Sequence, residues 1–244
     1  MNDLISIIIP VKNGSNYIKE AIEGIQKQNM NIEIIVVDDC STDNTVEIAE
    51  SYGCKIVRHE TSKGQVAGKN SGLKVAEGKY ILFHDHDDIM QEGALKRLYY
   101  EFTPDEFTPD GFTPDEFTPD GFTPDGFTPD IMAVEAKVQD WYSPDLSEEE
   151  RAKTPIKSEP YWGLFTGAIL IKKEVFDKIG YFNESVQTGE IIEWQSKMDL
   201  NGFKIKKIDF VSTLRRVHST NFGKTNQKTE FKNYAAVLRA KLKK

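Results

Sequence analysis

The fold is decided by an apolar run near the start of the chain, SIIIPV at residues 6–11. Its largely β-branched composition is typical of a strand buried on both faces of a parallel sheet. The turn residues KNGS follow at 12–15, and apolar residues then recur at helical spacing from Tyr17 to Ile25. We therefore predict that the chain begins with a strand, a turn and a helix, the first unit of an α/β fold.

The same alternation continues along the next seventy residues. It predicts strands at 32–37, 54–58 and 79–83, and helices at 46–52 and 66–76, the latter closed by Gly78 as C-cap. A helix over 89–100 and a strand over 131–138 are expected next. Four strands joined by helices predict a right-handed, Rossmann-like, mostly parallel sheet flanked by helices.

Carboxylates gather at the end of the fourth predicted strand. Residues 83–88 read FHDHDD, which puts Asp85, Asp87 and Asp88 within four residues. Strand ends of an open α/β sheet are where ligands bind, and hard oxygens suit Mg²⁺ or Mn²⁺ held together with substrate phosphates. The alternative is a solvated acidic turn, and the cluster alone does not decide between the two.

Several motifs in this order resemble a bacterial family 2 glycosyltransferase with the GT-A fold. They are IPVKNG (9–14), VVDDCSTD (36–43), Gly64 with AGKNSG (67–72), DHD (85–87), GLFTG (163–167) through FNE (182–184), GEIIEW (189–194) and RVH (216–218). The resemblance covers most of residues 4–100 and 131–223. It implies an inverting enzyme that uses a nucleotide-diphosphate sugar, with a UDP-sugar favoured, and Mn²⁺ or Mg²⁺ as cofactor.

The resemblance also implies donor-binding residues in the first half of the chain. Pro10 and Asn13 would wall the base, and Asp39 would accept hydrogen bonds from a uracil- or ribose-like group. Lys69, early in the helix after Gly64, would face the diphosphate with the help of the helix N-terminus.

The acidic residues near the second strand have a structural alternative, in which they cap a turn and the start of a helix. We favour this alternative for Asp43 and the donor-binding role for Asp39, and we leave Asp38 open.

At the metal end, the resemblance implies that Asp85 orients ribose or metal and that Asp87 binds the metal directly. Asp88 is expected to start the following helix, where a carboxylate is favourable, and His86 is treated as a bystander. From the C-terminal loop, His218 would complete the metal shell, and Arg215 or Arg216 would pair with phosphate. The alternative for this loop is a polar surface segment.

The catalytic base is expected near residue 190, where the family usually has a Glu-Asp pair. This chain has Glu190 followed by Ile191, so Glu190 or Glu193, three residues on and on the same helical face, would take the role. We favour Glu190, with Trp194 shaping the acceptor pocket. The alternative is that Glu193 is a solvated helix residue and that the enzyme is impaired.

Residues 101–130 are a perfect array of six pentapeptides, Glu/Gly-Phe-Thr-Pro-Asp. A proline in every repeat excludes a continuous helix or central strand, so we predict a turn-rich, disordered loop with exposed phenylalanines, among them Phe102. A partner-binding arm is the less favoured alternative. Without the nine acidic residues of the array, the formal net charge changes from −8 to +1, so the acidic balance says nothing about the active site.

The domain prediction is one GT-A domain over 1–223, interrupted by the array, and a basic tail over 224–244. We favour a solvated terminal helix for the tail, with contact to an anionic membrane surface as the alternative. The sequence has no secretory signal or spanning stretch, and its two cysteines follow no metal pattern, so we expect a cytoplasmic protein, with the inner membrane face as an alternative site.

Two functional classes follow from these observations. The first is a metal-dependent hexosyltransferase-type enzyme, acting on a hydroxyl acceptor such as a lipid-linked glycan in surface polysaccharide or glycolipid synthesis. The second is a catalytically impaired nucleotide-sugar-binding or scaffold protein of the same fold. A nucleotidyltransferase is disfavoured because the turn at 12–14 makes a poor basic, glycine-rich loop. No nucleic-acid partner is expected.

Overall fold

The computed structural model describes residues 3–103, 131–163, 165–186, 189–219 and 221. Residues 104–130 of the pentapeptide array and the basic tail 224–244 lie outside the described residues, so the predictions for them stay predictions. Among the helices of the described part, none is both long and apolar enough to cross a bilayer.

The first half of the chain forms the parallel part of the sheet. Its strands are β1 (Ile5–Val11), β2 (Ile32–Asp38), β3 (Lys55–Arg58) and β4 (Tyr80–Phe83), and its helices are α1 (Ile18–Gln26), α2 (Thr45–Ser51) and α3 (Gln65–Val75). Strand β1 lies between β2 and β4, β3 flanks β2, and all three pairings are parallel. The predicted alternation is confirmed, with bounds that differ by one or two residues.

The second half extends the same sheet. Its elements are β5 (Ile89–Met90), α4 (Ala94–Tyr100), β6 (Ile131–Tyr142), α5 (Glu148–Lys153), β7 (Ile169–Lys172), α6 (Glu174–Ile179), α7 (Glu190–Leu200) and β8 (Lys204–Val217). Within the described ranges the strand order is β3-β2-β1-β4-β7-β6-β8-β5. Strand β7 is antiparallel to β4 and β6, and β5 is antiparallel to β8, whereas β6 and β8 are parallel. The sheet is therefore mixed but mostly parallel.

Apolar side chains cover both faces of the sheet. Successive residues of β1 point to opposite faces, so Ile7 and Ile9 pack on one side with α1, α2 and α4, whereas Ile8 packs on the other with α3, α6 and α7. Each face buries a continuous cluster, which explains why β1 and β2 lack polar alternation.

Gly78 does not cap α3, contrary to the prediction. The cap residue is Ala76, in an extended conformation. A Cβ at Gly78 would lie 2.5 Å from the Ser6 nitrogen and 2.9 Å from the Leu4 carbonyl oxygen. Glycine is therefore required there by the close approach of two backbones rather than by a helix end.

The helix expected to start near Asp88 begins later. Residues Ile89 and Met90 form β5 and pair with Leu214 and Thr213 of β8, so the chain remains extended after Asp88. Helix α4 starts at Ala94, after Gly93 in the left-handed conformation. The prediction was wrong because the pairing partner of β5 lies more than a hundred residues away.

The first residues of the array belong to the folded body. Phe102 is buried and packs against Tyr80 with ring centroids 4.9 Å apart. Glu101 forms ion pairs with Arg97 at 3.8 Å and with Lys206 at 2.6 Å. The prediction that Phe102 is exposed was therefore wrong: α4 has already placed this residue over the sheet.

Candidate active site

The carboxyl ends of β1, β2 and β4 deliver polar residues to one edge of the sheet. Val11 pairs with Asp38 across β1 and β2, and Ile8 pairs with Phe83 across β1 and β4. The segments that follow these strands begin at Lys12, Asp39 and His84, and they contain four of the predicted donor-binding and metal-binding residues, Asn13, Asp39, Asp85 and Asp87. Such an edge is the usual ligand site of a doubly wound sheet.

Three carboxylates after β4 converge, and we call them the acid cluster: Asp85, Asp87 and Asp88. One oxygen of each lies within 4.8 Å of the others. The donor set is all oxygen, as Mg²⁺ and Mn²⁺ prefer, and the separation suits carboxylates around one ion. The cluster therefore fits a divalent cation, with Asp85 and Asp87 where the sequence predicted them and Asp88 as an additional member.

The pKa values of the acid cluster differ in direction. Burial raises the pKa of Asp88 well above its usual range, and the charges of Asp87 and Asp85 add to the rise. Burial also raises the pKa of Asp85, with a further contribution from Asp87. For Asp87, burial acts upward but is outweighed by the hydrogen bond from His218 and by nearby histidine charge, so its pKa is lowered.

Asp88 has a different position from the predicted helix start. It is 2% exposed, and its Oδ1 accepts the backbone N–H of Arg216 at 2.8 Å. Its Oδ2 has no hydrogen-bond partner among the described residues. This carboxylate thus joins the β4 end to β8 and leaves one buried oxygen unpartnered beside the other two acids.

The C-terminal loop contacts Asp87, while the predicted place of His218 in a metal shell stays a prediction. His218 Nε2 lies 2.8 Å from Asp87 Oδ2, and Asn221 Nδ2 lies 3.4 Å from the same oxygen. The His218 ring packs on Tyr17 with centroids 4.7 Å apart. These contacts fix the Asp87 carboxylate and put an imidazole nitrogen next to the acid cluster.

Arg216 is engaged by protein groups rather than by solvent. Its Nε donates to the backbone carbonyl of Asp87 at 2.7 Å, and its guanidinium pairs with Glu20 and lies 4.4 Å over the Trp141 ring. Its phosphate-binding role stays a prediction; in the structure it holds the backbone of Asp87. Arg215, by contrast, is partly exposed and contacts Asp140 at 3.2 Å.

Asp39 is saturated with hydrogen bonds from the segment after β3. It accepts from His59 Nδ1 at 2.7 Å, from the Ser62 hydroxyl at 2.7 Å, and from the backbone N–H groups of Lys63 at 2.7 Å and Gly64 at 3.0 Å. Burial would raise its pKa, but these bonds lower it to about 2. Asp39 thus orders the loop that leads into α3, while its contact with a base or ribose stays a prediction.

Asn13 and Pro10 organise the neighbouring turn. Asn13 has a left-handed φ of 54°, and its side chain accepts the backbone N–H of Thr42 at 2.8 Å. Pro10 is buried against α3, where a Cβ at Gly68 would lie 2.9 Å from the Pro10 Cβ. Of these two residues, Asn13 is exposed and Pro10 is buried, and the base-wall role stays a prediction for both.

The other two acids near β2 have structural contacts. Asp38 Oδ1 accepts the backbone N–H of Ser41 at 3.0 Å. Asp43 accepts the N–H groups of Ser15 and Thr45, each at 3.1 Å, and the Thr45 hydroxyl. Asp43 therefore stabilises the turn before α2, in agreement with the structural interpretation favoured for it.

Lys69 and Glu190 form a buried ion pair beside the acid cluster. Lys69 Nζ lies 2.6 Å from Glu190 Oε1 and 2.9 Å from the Thr166 hydroxyl. Glu190 is the first residue of α7, after Gly189 in the left-handed conformation. The lysine predicted to face the diphosphate therefore contacts the predicted base.

Glu193 has contacts other than those of this pair. Its side chain accepts from Asn183 Nδ2 at 2.8 Å and forms an ion pair with Lys197 at 3.2 Å. The geometry thus distinguishes the two base candidates, and of the two, Glu190 is the one that contacts Lys69. Trp194 is 1% exposed and stacks on Phe176, with centroids 5.5 Å apart, so the prediction that it shapes the acceptor pocket was wrong.

Sequence reasoning missed several residues of this edge. His59 bridges Asp39 and Ser71, and Gln65 Nε2 donates to Asp85 Oδ1 at 2.9 Å. His59 directly follows β3, so the rule that ligand sites lie at strand ends could have drawn attention to it. Gln65 at the start of α3 carries no comparable signal.

Comparison with solved structures identifies the class of fold to which this chain belongs. The crystal structure of Staphylococcus aureus TarS 1–349 in complex with UDP-GlcNAc matches 91% of this chain and 60% of that chain, with a TM-score of 0.61 and 22% identity. A mannosyltransferase of Pyrobaculum calidifontis, in complex with GDP-Man and Mn²⁺, matches 93% and 60%, with a TM-score of 0.65 and 16% identity. The fold is therefore that of the GT-A glycosyltransferases.

The sequence comparisons identify the family. The family model described as Glycosyl transferase family 2 matches residues 6–180, so the chain belongs to family 2 of the glycosyltransferases. Glycosyltransferase GlyG of Streptococcus pneumoniae is 40% identical over 107 residues, which are 41% of this chain and 36% of GlyG. TarS, a poly(ribitol-phosphate) beta-N-acetylglucosaminyltransferase of S. aureus, is 39% identical over 99 residues, 37% of this chain and 17% of TarS. The chain thus spans well under half of the length of these curated relatives.

Proposed function

We propose that this chain transfers a sugar from a nucleotide-diphosphate sugar to an acceptor hydroxyl, with inversion and with the help of a divalent cation. The observation that carries the proposal is the acid cluster at the end of β4, one oxygen of each carboxylate within 4.8 Å of the others, beside the buried Glu190. A cation site and a carboxylate base at one sheet edge are the two elements that this reaction needs.

Each element has a chemical role. A divalent ion held by Asp85 and Asp87, with His218 next to it, would neutralise the diphosphate and the charge that develops on the departing nucleotide. Glu190 would remove the proton of the acceptor hydroxyl as its oxygen bonds to the anomeric carbon. The bond from that carbon to the diphosphate oxygen breaks in the same displacement, and its electron pair leaves with the nucleotide, so the anomeric centre inverts.

A UDP-sugar is the favoured donor. TarS was crystallised with UDP-GlcNAc, and its name assigns it an N-acetylglucosamine transfer to poly(ribitol phosphate). The Pyrobaculum relative was crystallised with GDP-Man, which makes a GDP-sugar the second choice. By the same likeness we propose a cell-surface polymer or glycolipid as the context, with a hydroxyl acceptor that can be lipid-linked.

A cytoplasmic location suits such a donor, and the sequence of the tail adds a candidate membrane contact. Residues 224–244 include seven lysines and arginines. Anionic surfaces attract such segments, at roughly 1 kcal/mol per basic residue. Sedimentation with anionic liposomes, with and without residues 224–244, would test the contact; equal and negligible binding would exclude it.

The second candidate function is a nucleotide-sugar-binding protein without turnover. The observation behind it is Ile191, which stands where the family usually has Asp and is 4% exposed in the core. The release of nucleoside diphosphate from UDP-GlcNAc, UDP-glucose and GDP-mannose, each with Mn²⁺, separates the two candidates. Release from one donor supports the transferase, whereas binding without release supports the second candidate.

A further inference from the structure

Lys69, which the sequence predicts to face the diphosphate, contacts two protein groups in the structure. Its ammonium lies 2.6 Å from Glu190 Oε1 and 2.9 Å from the Thr166 hydroxyl, and 5.9 Å from the centre of the Phe83 ring. The two charged side chains are 4% and 9% exposed. The ammonium therefore has two protein acceptors in a site closed to bulk water.

A buried ion pair of this kind is a geometric constraint. Removing two charges from water is costly, and the pair persists only when its hydrogen bonds are well formed. Here the lysine is fixed from α3, the glutamate from the first turn of α7, and the threonine from the segment between β6 and β7. Three elements that are distant in sequence thus define the position of one carboxylate.

The two oxygens of Glu190 have different surroundings. Oε1 receives the Lys69 ammonium, whereas in the described part of the chain Oε2 has no hydrogen-bond donor. The carboxylate is consequently oriented, with Oε2 left for a proton. The next residue, Ile191, is packed in the core and cannot share this task.

We propose that Lys69 is a positioning residue for the base: it holds Glu190 Oε1 so that Oε2 receives the acceptor proton. This inference rests on the proposed function and deepens it. It assigns to Lys69 the task of orienting the base in a chain that has Ile191 where the family usually has Asp. Thr166 accepts a hydrogen bond from the same ammonium and thereby links the ion pair of Lys69 and Glu190 to the segment between β6 and β7.

The test uses Lys69→Met, Lys69→Arg and a matched control, Lys74→Met, which removes an exposed lysine from the same helix. For each variant of the full chain, two quantities are measured with Mn²⁺: the Kd of UDP, or of GDP if the wild type prefers it, and kcat and KM for donor hydrolysis. We expect Lys69→Met to lower kcat by about 10- to 100-fold, because a misplaced reacting group has an effect of this size. Its Kd should remain within about twofold of wild type, and Lys74→Met should match wild type in both quantities.

The opposite pattern would overturn the inference. If Lys69→Met weakens nucleotide binding and leaves kcat unchanged, the lysine serves the diphosphate; if neither quantity changes, it has no role in the reaction. Should Lys69→Met fail to fold, Lys69→Arg decides: we expect a lower kcat with an unchanged Kd, and the reverse would contradict us. A wild-type protein that neither binds nor turns over any donor would refute the proposed function itself.

A double-mutant cycle gives an independent answer. If Lys69 acts through Glu190, then Lys69→Met should have no further effect on kcat in the Glu190→Gln background. Multiplicative effects of the two substitutions would show that the lysine acts separately and would contradict the inference.

Discussion

The acid cluster and Glu190 lie at one edge of the sheet, and their negative charges are compensated in different ways. The acid cluster brings three carboxylates together, contacted by a histidine, two amide side chains and a backbone N–H. Glu190, in contrast, is matched by the Lys69 ammonium at 2.6 Å. In the proposed function this difference separates two tasks: the acid cluster would receive an added cation, whereas Glu190 already has its cation in Lys69, which holds the carboxylate in place.

Asp39 shows a third solution at the same edge. Its two oxygens accept four hydrogen bonds from His59, Ser62, Lys63 and Gly64. Such a carboxylate needs neither a metal nor a lysine. Comparison of the three environments therefore predicts three different responses to substitution.

The largest effect is expected at the acid cluster. Asp87→Ala should abolish measurable Mn²⁺ binding and with it donor turnover, because it removes the carboxylate held by His218. Electron paramagnetic resonance of free Mn²⁺ measures the first effect directly. The control is Asp209→Ala, a largely exposed acid paired with Lys137, which should bind Mn²⁺ like wild type. Equal Mn²⁺ binding in both variants would remove the distinction between the acid cluster and Glu190.

The next effect separates the two glutamates of α7. Glu190→Gln should lower kcat by about 10²- to 10⁴-fold, the usual contribution of a general base, with Mn²⁺ binding retained. Glu193→Gln is the matched control and should change kcat by less than about threefold, since its contacts are to Asn183 and Lys197. Rates of nucleoside diphosphate release measure both. A larger loss in Glu193→Gln would transfer the role of base to that residue.

A smaller effect is expected at His218. His218→Ala should weaken Mn²⁺ binding by about 10- to 100-fold, as is typical when a group that orients a metal ligand is removed. His218 packs on Tyr17, so a Tyr17→Phe variant, which keeps the ring and removes the hydroxyl with its contact to Asp145, serves as control. Titration calorimetry with Mn²⁺ distinguishes the two. Unchanged affinity in His218→Ala would show that the loop does not support the metal site.

The smallest effect is on stability, at Asp39. Because its folded-state pKa of about 2 lies below the ordinary value of 3.8, the stabilisation is present above that value and is lost as the pH falls toward 2. Asp39→Asn should reduce the free energy of unfolding at pH 7 by about 2 kcal/mol and flatten its decrease between about pH 4 and pH 2. Urea unfolding at several pH values measures this, with Asp209→Asn as control. A parallel pH dependence in wild type and Asp39→Asn would contradict the hydrogen-bond account.

The parallel half of the fold could be predicted because its signals are local. Runs such as residues 6–11 and 32–37 fix buried strands, and helical spacing fixes the helices between them. The edge with the acid cluster then follows from the rule that parallel strands end on the same side. The two-residue strand β5 could not be predicted, because it exists only through its pairing with β8.

The surroundings of Glu190 were predicted less completely, for a related reason. Lys69 and Glu190 are 121 residues apart, and nothing in either segment indicates that they pair. Lys69 lies early in a helix after Gly64, which suggests phosphate binding, and only the tertiary fold turns it toward α7. Likewise, the sequence suggested that Trp194 shapes a pocket, but the residue lies in the core between Phe176 and Phe182.

The claim that the acid cluster binds the metal-complexed diphosphate of a nucleotide sugar can be tested by thermal melting of the wild-type protein with UDP, GDP and CDP. Each nucleotide is added with Mn²⁺ or with EDTA. We expect that one nucleotide raises Tm with Mn²⁺ and not with EDTA, and that Asp87→Ala removes the shift. No shift with any nucleotide, or an equal shift with EDTA, would contradict the claim.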